Sequence, residues 1–211
     1  MNLKTKQYAI VISLLFLSCK SIKTITIQPD ANPTETVAQS QVPTYSVTHT
    51  TTLPVLAWTA GGTPFYLRAY IRFDLSNLPA NATILDASLS LHSLSQSEYT
   101  RLNKSNLAPQ SGESNACYVS RITTPWTDNT VYWNNKPGTT ITNEVLLPQT
   151  KGPEEDALDI NVTALVKDML REGNYGFAIG LKDEQYYNCR DFASSVDVEP
   201  FRHPKLVIRY R

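Results

Sequence analysis

Along most of this chain apolar and polar residues alternate one for one. Ile25 and Ile27 interleave with Thr24 and Thr26, and Tyr45, Val47 and His49 with Thr44, Ser46 and Thr48. Ala69, Ile71 and Phe73 interleave with Arg68, Tyr70 and Arg72, and Leu85, Ala87, Leu89 and Leu91 with Asp86, Ser88, Ser90 and His92. Phe177, Ile179 and Leu181, and then Leu206, Ile208 and Tyr210, repeat the pattern. A period of two puts all the apolar side chains of a strand on one face, whereas a helix needs its apolar stripe every three to four residues. Strands buried on one side belong to antiparallel sheets. Turn signals divide the runs: Pro29-Asp30, Gly61-Gly62-Thr63-Pro64, Leu78-Pro79-Ala80-Asn81, Lys136-Pro137-Gly138 and Lys151-Gly152-Pro153. About nine or ten short strands in one domain imply an all-β fold, a jelly-roll-type two-sheet antiparallel β-sandwich. Residues 94–115 are polar and read as a long loop excursion.

One segment breaks the alternation. In "DINVTALVKDMLREGNYG", Val162, Leu165, Val166, Met169 and Leu170 recur at helical spacing. Asn161 or Thr163 can cap the start and Gly173 the end. The spacing predicts one short helix over about 161–172 that caps an open end of the sandwich.

The first residues follow a different logic. Lys4 and Lys6 precede a nearly continuous apolar run, Tyr8–Leu17, too short to span a membrane. Cys19 follows. The arrangement resembles a bacterial lipoprotein signal, with residues 1–18 removed and Cys19 lipidated. Ser18 suits the residue before that cysteine, whereas Phe16 departs from the usual aliphatic residue. Residues 19–23 would form a short tether and 24–211 the domain, giving an exported protein anchored through Cys19, in the outer membrane on this reading. Removing Lys4 and Lys6 takes the 19 basic residues to 17 against 19 acidic ones, a net charge of −2 that gives nucleic acid nothing to bind. The two remaining cysteines, Cys117 and Cys189, would meet an oxidising compartment, where they either pair or stay as buried thiols. A bond between neighbouring strands would contribute on the order of 4 kcal/mol.

Catalytic constellations are absent at the level of sequence. His49, His92 and His203 lack metal-ligand spacing, and Ser194-Ser195 has no nucleophile-elbow frame. Glu154-Glu155-Asp156 and Asp183-Glu184 read as solvated turns. Asp30, Asp159 and Asp191 could serve a structural calcium, but no loop has a calcium spacing, so no cofactor is expected.

Six blocks in order, "YIRFDLSNLPANATILDASLSLH", "VSRITTPWTDNTVYWNNKP", "LDINVTALVKDML", "GFAIGLKDE", "RDFASS" and "PKLVIRY", resemble the DNRLRE (disaggregatase-related) domain over roughly 24–211. The naming hexapeptide is absent and the first 60 residues match poorly. The resemblance implies a non-catalytic β-sandwich that binds polysaccharide. The alternatives are a structural or adhesive envelope domain, or a polysaccharide lyase or hydrolase.

The resemblance places Trp126 and Trp133 in a pattern shared irrespective of ligand. Pro125 and the Thr-Asp-Asn-Thr turn agree with a structural role, Asp128 accepting backbone N–H groups, Val131 and Trp133 in phase on a short strand, and Asn134 or Asn135 satisfying an indole N–H. Sugar would then be met by Trp58 beside Gly61-Gly62, by Tyr186 and Tyr187, and by Arg68, Tyr70 and Arg72 on a sheet's outer face, where guanidinium suits an acidic glycan. Ordinary cross-strand ion pairing is the alternative for these arginines.

Overall fold

The computed structural model describes residues 21–29, 34–44, 47–48, 51–103 and 108–211. The expected signal, Cys19, Asp30, Tyr45 and His49 lie outside the described residues. The alternating runs form two antiparallel sheets. Strands β1 (Lys23–Ile27), β6 (Ile84–Leu91), β10 (Ala157–Asn161) and β13 (Lys205–Tyr210) build a four-stranded sheet in the order β1-β13-β6-β10. The larger sheet runs β7-β12-β4-β5-β11-β8-β9. Its strands are β4 (Thr52–Ala60), β5 (Thr63–Ile71), β7 (Gln110–Ser111), β8 (Cys117–Ile122), β9 (Thr139–Leu147), β11 (Phe177–Leu181) and β12 (Asn188–Ala193). Strand β2 (Glu35–Gln39) joins it beside β5 and carries β3 (Val47–Thr48) on its other edge. The sandwich expected from the sequence is the fold observed, with more strands than expected.

Alternation decides the core. Leu53, Val55 and Ala57 of β4, Ala69 and Ile71 of β5, and Phe177 and Ile179 of β11 face Ala87, Leu89 and Leu91 of β6 and Leu206 and Ile208 of β13 in one apolar cluster. Phe73 and Phe177 meet edge to face with centroids 6.2 Å apart. Burial of such area is the main favourable term in folding.

Helix α2 (Thr163–Glu172) forms where the periodicity predicts. The Asn161 side chain accepts the Thr163 N–H at 3.1 Å, and Gly173, at φ 110°, ends the helix with its N–H on Met169 O. Its buried face is Leu165, Val166, Asp168 and Met169; Leu170 is 44% exposed, so the stripe is narrower than expected. The helix lies at one end of the sandwich. Arg121 at the end of β8 bonds Glu172, Asn143 of β9 bonds Asp168, and the Asn174 amide donates to Phe73 O just past β5. No described helix is long and apolar enough to cross a membrane.

Three expectations are corrected. Residues 94–115 are not a plain loop: they contain helix α1 (Gln96–Asn103) and β7. Ser95 and Glu98 hold the start of α1 reciprocally, Ser95 N donating to the carboxylate and Glu98 N to the Ser95 hydroxyl, and Tyr99 and Leu102 pack on Leu94, Cys189 and Ala193. Val131 and Trp133 do not share a strand, because Thr127–Asn135 fold into two 3₁₀ turns, Asp128–Thr130 and Trp133–Asn135. Cys117 and Cys189 are free and buried. Their strands are not neighbours: β8 lies between β11 and β9, and β12 between β4 and β7.

Candidate functional site

A strap, residues 125–137, crosses the outer face of the larger sheet and divides it into a sealed part and an open part. Trp126 seals. It is 6% exposed, and its indole N–H donates to Tyr175 O at 2.7 Å, so Tyr175 and not the neighbouring asparagines supplies the partner. Beneath it Ala38, Tyr70, Ile122, Val131 and Ala178 form a second small core. Tyr70 is 2% exposed, with its ring 6.4 Å from that of Trp126, and burial pushes its hydroxyl well above the ordinary tyrosine range. The guanidinium of Arg72 lies 5.3 Å from the Trp126 ring centroid and donates to Trp126 O. The expected Arg68-Tyr70-Arg72 ridge is therefore not a row of free contacts: its centre is covered and Arg72 is spent on the strap.

Trp133, from the same strap, is only half-buried. Tyr66 stacks near it, centroids 6.0 Å apart at 21°. The Arg68 guanidinium lies 5.2 Å and the Lys136 ammonium 3.9 Å from its ring centroid, both cation–π contacts. Arg68 also donates through Nε and Nη2 to Glu184 Oε1 at 2.9 and 2.7 Å, the ion pairing weighed against a ligand role. Burial and the nearby Arg68 charge lower the Lys136 pKa, Glu184 opposing. Two cations thus meet one indole, Arg68 held by Glu184 and Lys136 by the Trp133 carbonyl.

The aromatic cluster continues to the end of the sheet. Gly61 and Gly62, at φ 56° and 82°, close the two-residue hairpin between β4 and β5 with the left-handed conformations such a turn requires. Tyr186 lies beside Tyr66, with centroids 6.2 Å apart and hydroxyls 3.4 Å apart. Tyr187, at φ 70°, donates its N–H to Ala57 O, meets Trp58 edge to face at 5.1 Å and bonds Thr59 through its hydroxyl. Tyr186 and Tyr187 are 44% and 56% exposed. Trp58 is not in a loop; it sits in β4 opposite Phe65.

Next to this cluster a groove of about 420 Å³ runs over β11 and β8, lined by Arg68, Tyr118, Ser120, Lys136, Glu144 and Gly180 among others. Ser120 donates to Glu144 at 3.2 Å. No histidine lines it. Donors, acceptors and an aromatic wall in one shallow groove match what a sugar ring offers: hydroxyl edges and an apolar C–H face. Of the sequence candidates, the structure brings together Trp58, Arg68, Tyr186 and Tyr187, and buries Tyr70. Sequence reading did not single out Tyr66, Lys136, Glu184 or the groove residues; Trp133, read as structural, packs on the second small core while staying half-buried, and the polar Asn134-Asn135-Lys136 run after it is the signal that its outer side is wet. Among the described residues no group of three His, Cys, Asp or Glu is arranged to hold a metal.

No curated protein matches the chain. The family model of carbohydrate-binding module family 96 matches residues 36–210, a span that takes in both sheets' cores, the strap, the aromatic cluster and the groove. Carbohydrate binding without cleavage is the activity such a module carries, and by that match the chain belongs to carbohydrate-binding module family 96.

Proposed function

We propose that this protein is a lipid-anchored, non-catalytic polysaccharide-binding lipoprotein of the bacterial cell envelope, its domain spanning residues 24–211 as in the DNRLRE resemblance. The glycan lies in the groove over β8 and β11, meets Arg68 and Lys136 beside Trp133 and reaches Tyr66, Tyr186, Tyr187 and Trp58. The observation that carries this reading is the Arg68–Trp133–Lys136 arrangement at the groove's edge. An aromatic face alone accepts any pyranose. Two cations held together at the indole, with Glu184 on Arg68 and Glu144 in the same groove, add a preference for sugars bearing carboxylates, because an incoming anion offsets their mutual repulsion. Glu184 competes for Arg68, so the preference is modest.

Affinity electrophoresis through gels containing a polyuronate or a neutral β-glucan tests it. The polyuronate retards the wild-type protein more, added salt narrows the difference, and Lys136→Ala removes it while the melting temperature holds. Equal retardation by both gels would sink the acidic preference, and retardation by no glycan would return the chain to a structural or adhesive role. Lipidation is read by mass spectrometry of the native N-terminus at Cys19.

A further inference from the structure

The end of the molecule that carries α2 is unlike the end that carries the aromatic cluster. Two adjoining hollows, which share Pro79 and Ala82, open there. One is lined by Lys23, Asn81, Tyr210 and Arg211, the other, of about 660 Å³, by Leu78, Lys167, Leu170 and Arg171. Lys23, Lys167, Arg171 and Arg211 are all exposed, and so are the apolar Ile22 and Leu170, at 57% and 44%. Lys23, Lys167 and Arg211 form no ion pair with another described residue; Arg171 pairs with Asp168 and Glu172. The face is thus basic at its rim and apolar at two points.

Chain length fixes where such a face must be if Cys19 is acylated. Lys23, the first residue of β1, is four positions on from Cys19, and an extended chain covers at most about 3.6 Å per position, about 14 Å in all. We infer that this face, centred on Lys23, Lys167, Leu170, Arg171 and Arg211, docks on anionic phospholipid headgroups and fixes the orientation of the domain on the membrane; the inference rests on the lipoprotein reading above. The cations lie over the phosphates, and Leu170 and Ile22 enter the interface shallowly. The orientation that results holds the aromatic cluster away from the lipid, with the groove along the side of the domain. Strand β5 is nine residues and about 30 Å long. It ends by α2, where Phe73 O accepts the Asn174 amide, and it begins at the Gly61-Gly62 hairpin beside Tyr186 and Tyr187. The aromatic cluster therefore stands about a strand's length from the lipid.

The test uses the full lipidated chain in vesicles of phosphatidylethanolamine and phosphatidylglycerol, with a fluorophore on Leu170→Cys or on Tyr187→Cys and nitroxide-bearing lipid as quencher. The native thiols at 117 and 189 are buried, which leaves the introduced one to react. The label at 170 loses most of its fluorescence and the label at 187 keeps it. Phosphatidylcholine vesicles, high salt, or Lys23→Glu with Lys167→Glu and Arg211→Glu restore the signal at 170. A lipidated chain whose 170 label stays bright, or is quenched no more than the 187 label, overturns the docking while leaving the anchor intact. Quenching at 170 that ignores lipid charge, salt and the triple variant overturns it too, since a bare tether would then suffice. A mass spectrum showing unmodified Cys19 overturns the lipoprotein reading and this inference with it.

Discussion

Trp126 and Trp133 lie seven positions apart in one strap and have different roles, which substitution separates. Trp126 is enclosed, with its N–H satisfied by Tyr175 O, so Trp126→Ala is expected to cost about 3–5 kcal/mol and to lower the melting temperature by many degrees. Trp133 is half-exposed beneath Arg68 and Lys136; Trp133→Ala is expected to keep most of the stability and lose glycan retention by about 1–3 kcal/mol. Paired thermal melts and affinity gels check both, and a Trp133→Ala protein that unfolds would make it a pillar after all. The same scale holds a pH effect. Hydrogen bonds from Arg202, then from Ser95, hold the Glu98 carboxyl down to about 2 against an ordinary 4.5, burial working the other way. A carboxyl lowered in the folded state stabilises fully above its unfolded value and loses that contribution as pH falls through the folded one. Stability should therefore decline between about pH 4.5 and 2, and Glu98→Gln should flatten that part of the curve, as denaturant melts at stepped pH would show. An unchanged slope in the variant would assign the acid loss to other groups.

Among the elements, the strands with strict alternation were legible because a one-residue slip would turn every apolar side chain outward. Helix α2 was legible for the same kind of reason: Leu165, Val166 and Met169 recur at a helix's spacing and Gly173 supplies the left-handed stop. Helix α1 was missed although its capping pair, Ser95 and Glu98, is written in the sequence, because its buried contacts come only from Tyr99 and Leu102 and leave almost no periodicity. The open and sealed halves of the outer face were not legible either. Tyr70 and Arg68 are two residues apart on one strand, and which of them is covered depends on where a strap more than fifty residues later lies down. The junction from α2 into β11 turns on Gly176, at φ 86°, where a Cβ would stand 2.2 Å from Ile71 O. Gly176→Ala pushes β11 off β5 and should cost more than the 1 kcal/mol or so of an ordinary strained turn, with a lower urea midpoint as the readout. A midpoint equal to wild type would mean that the junction shifts at no cost.

For the whole molecule, the apolar cluster between the two sheets holds the fold with no bond between Cys117 and Cys189. Cys117 and Cys189 sit in strands that are not neighbours, and burial pushes the Cys117 thiol up to about 12. Melts with and without excess reductant should coincide, and a thiol reagent should reach both cysteines only as the domain unfolds; a melting temperature that drops in reductant would show that the bond forms in the native protein. The family assignment and the sandwich describe the molecule as a carbohydrate-binding module, and the proposed glycan site is the groove with its aromatic edge. The pairing of β1 with β13 adds a constraint in time. Lys23 lies opposite Tyr210 and Ile27 opposite Leu206, so the first described strand is completed only by the last. A chain that emerges N-terminus first cannot close its smaller sheet until residues 205–210 are out. Until then β1 has no partner and β6 keeps an open edge, a nascent state that invites pairing with other chains. Loss of only the residues from 205 onward would leave every groove residue present and still deny the domain its fold.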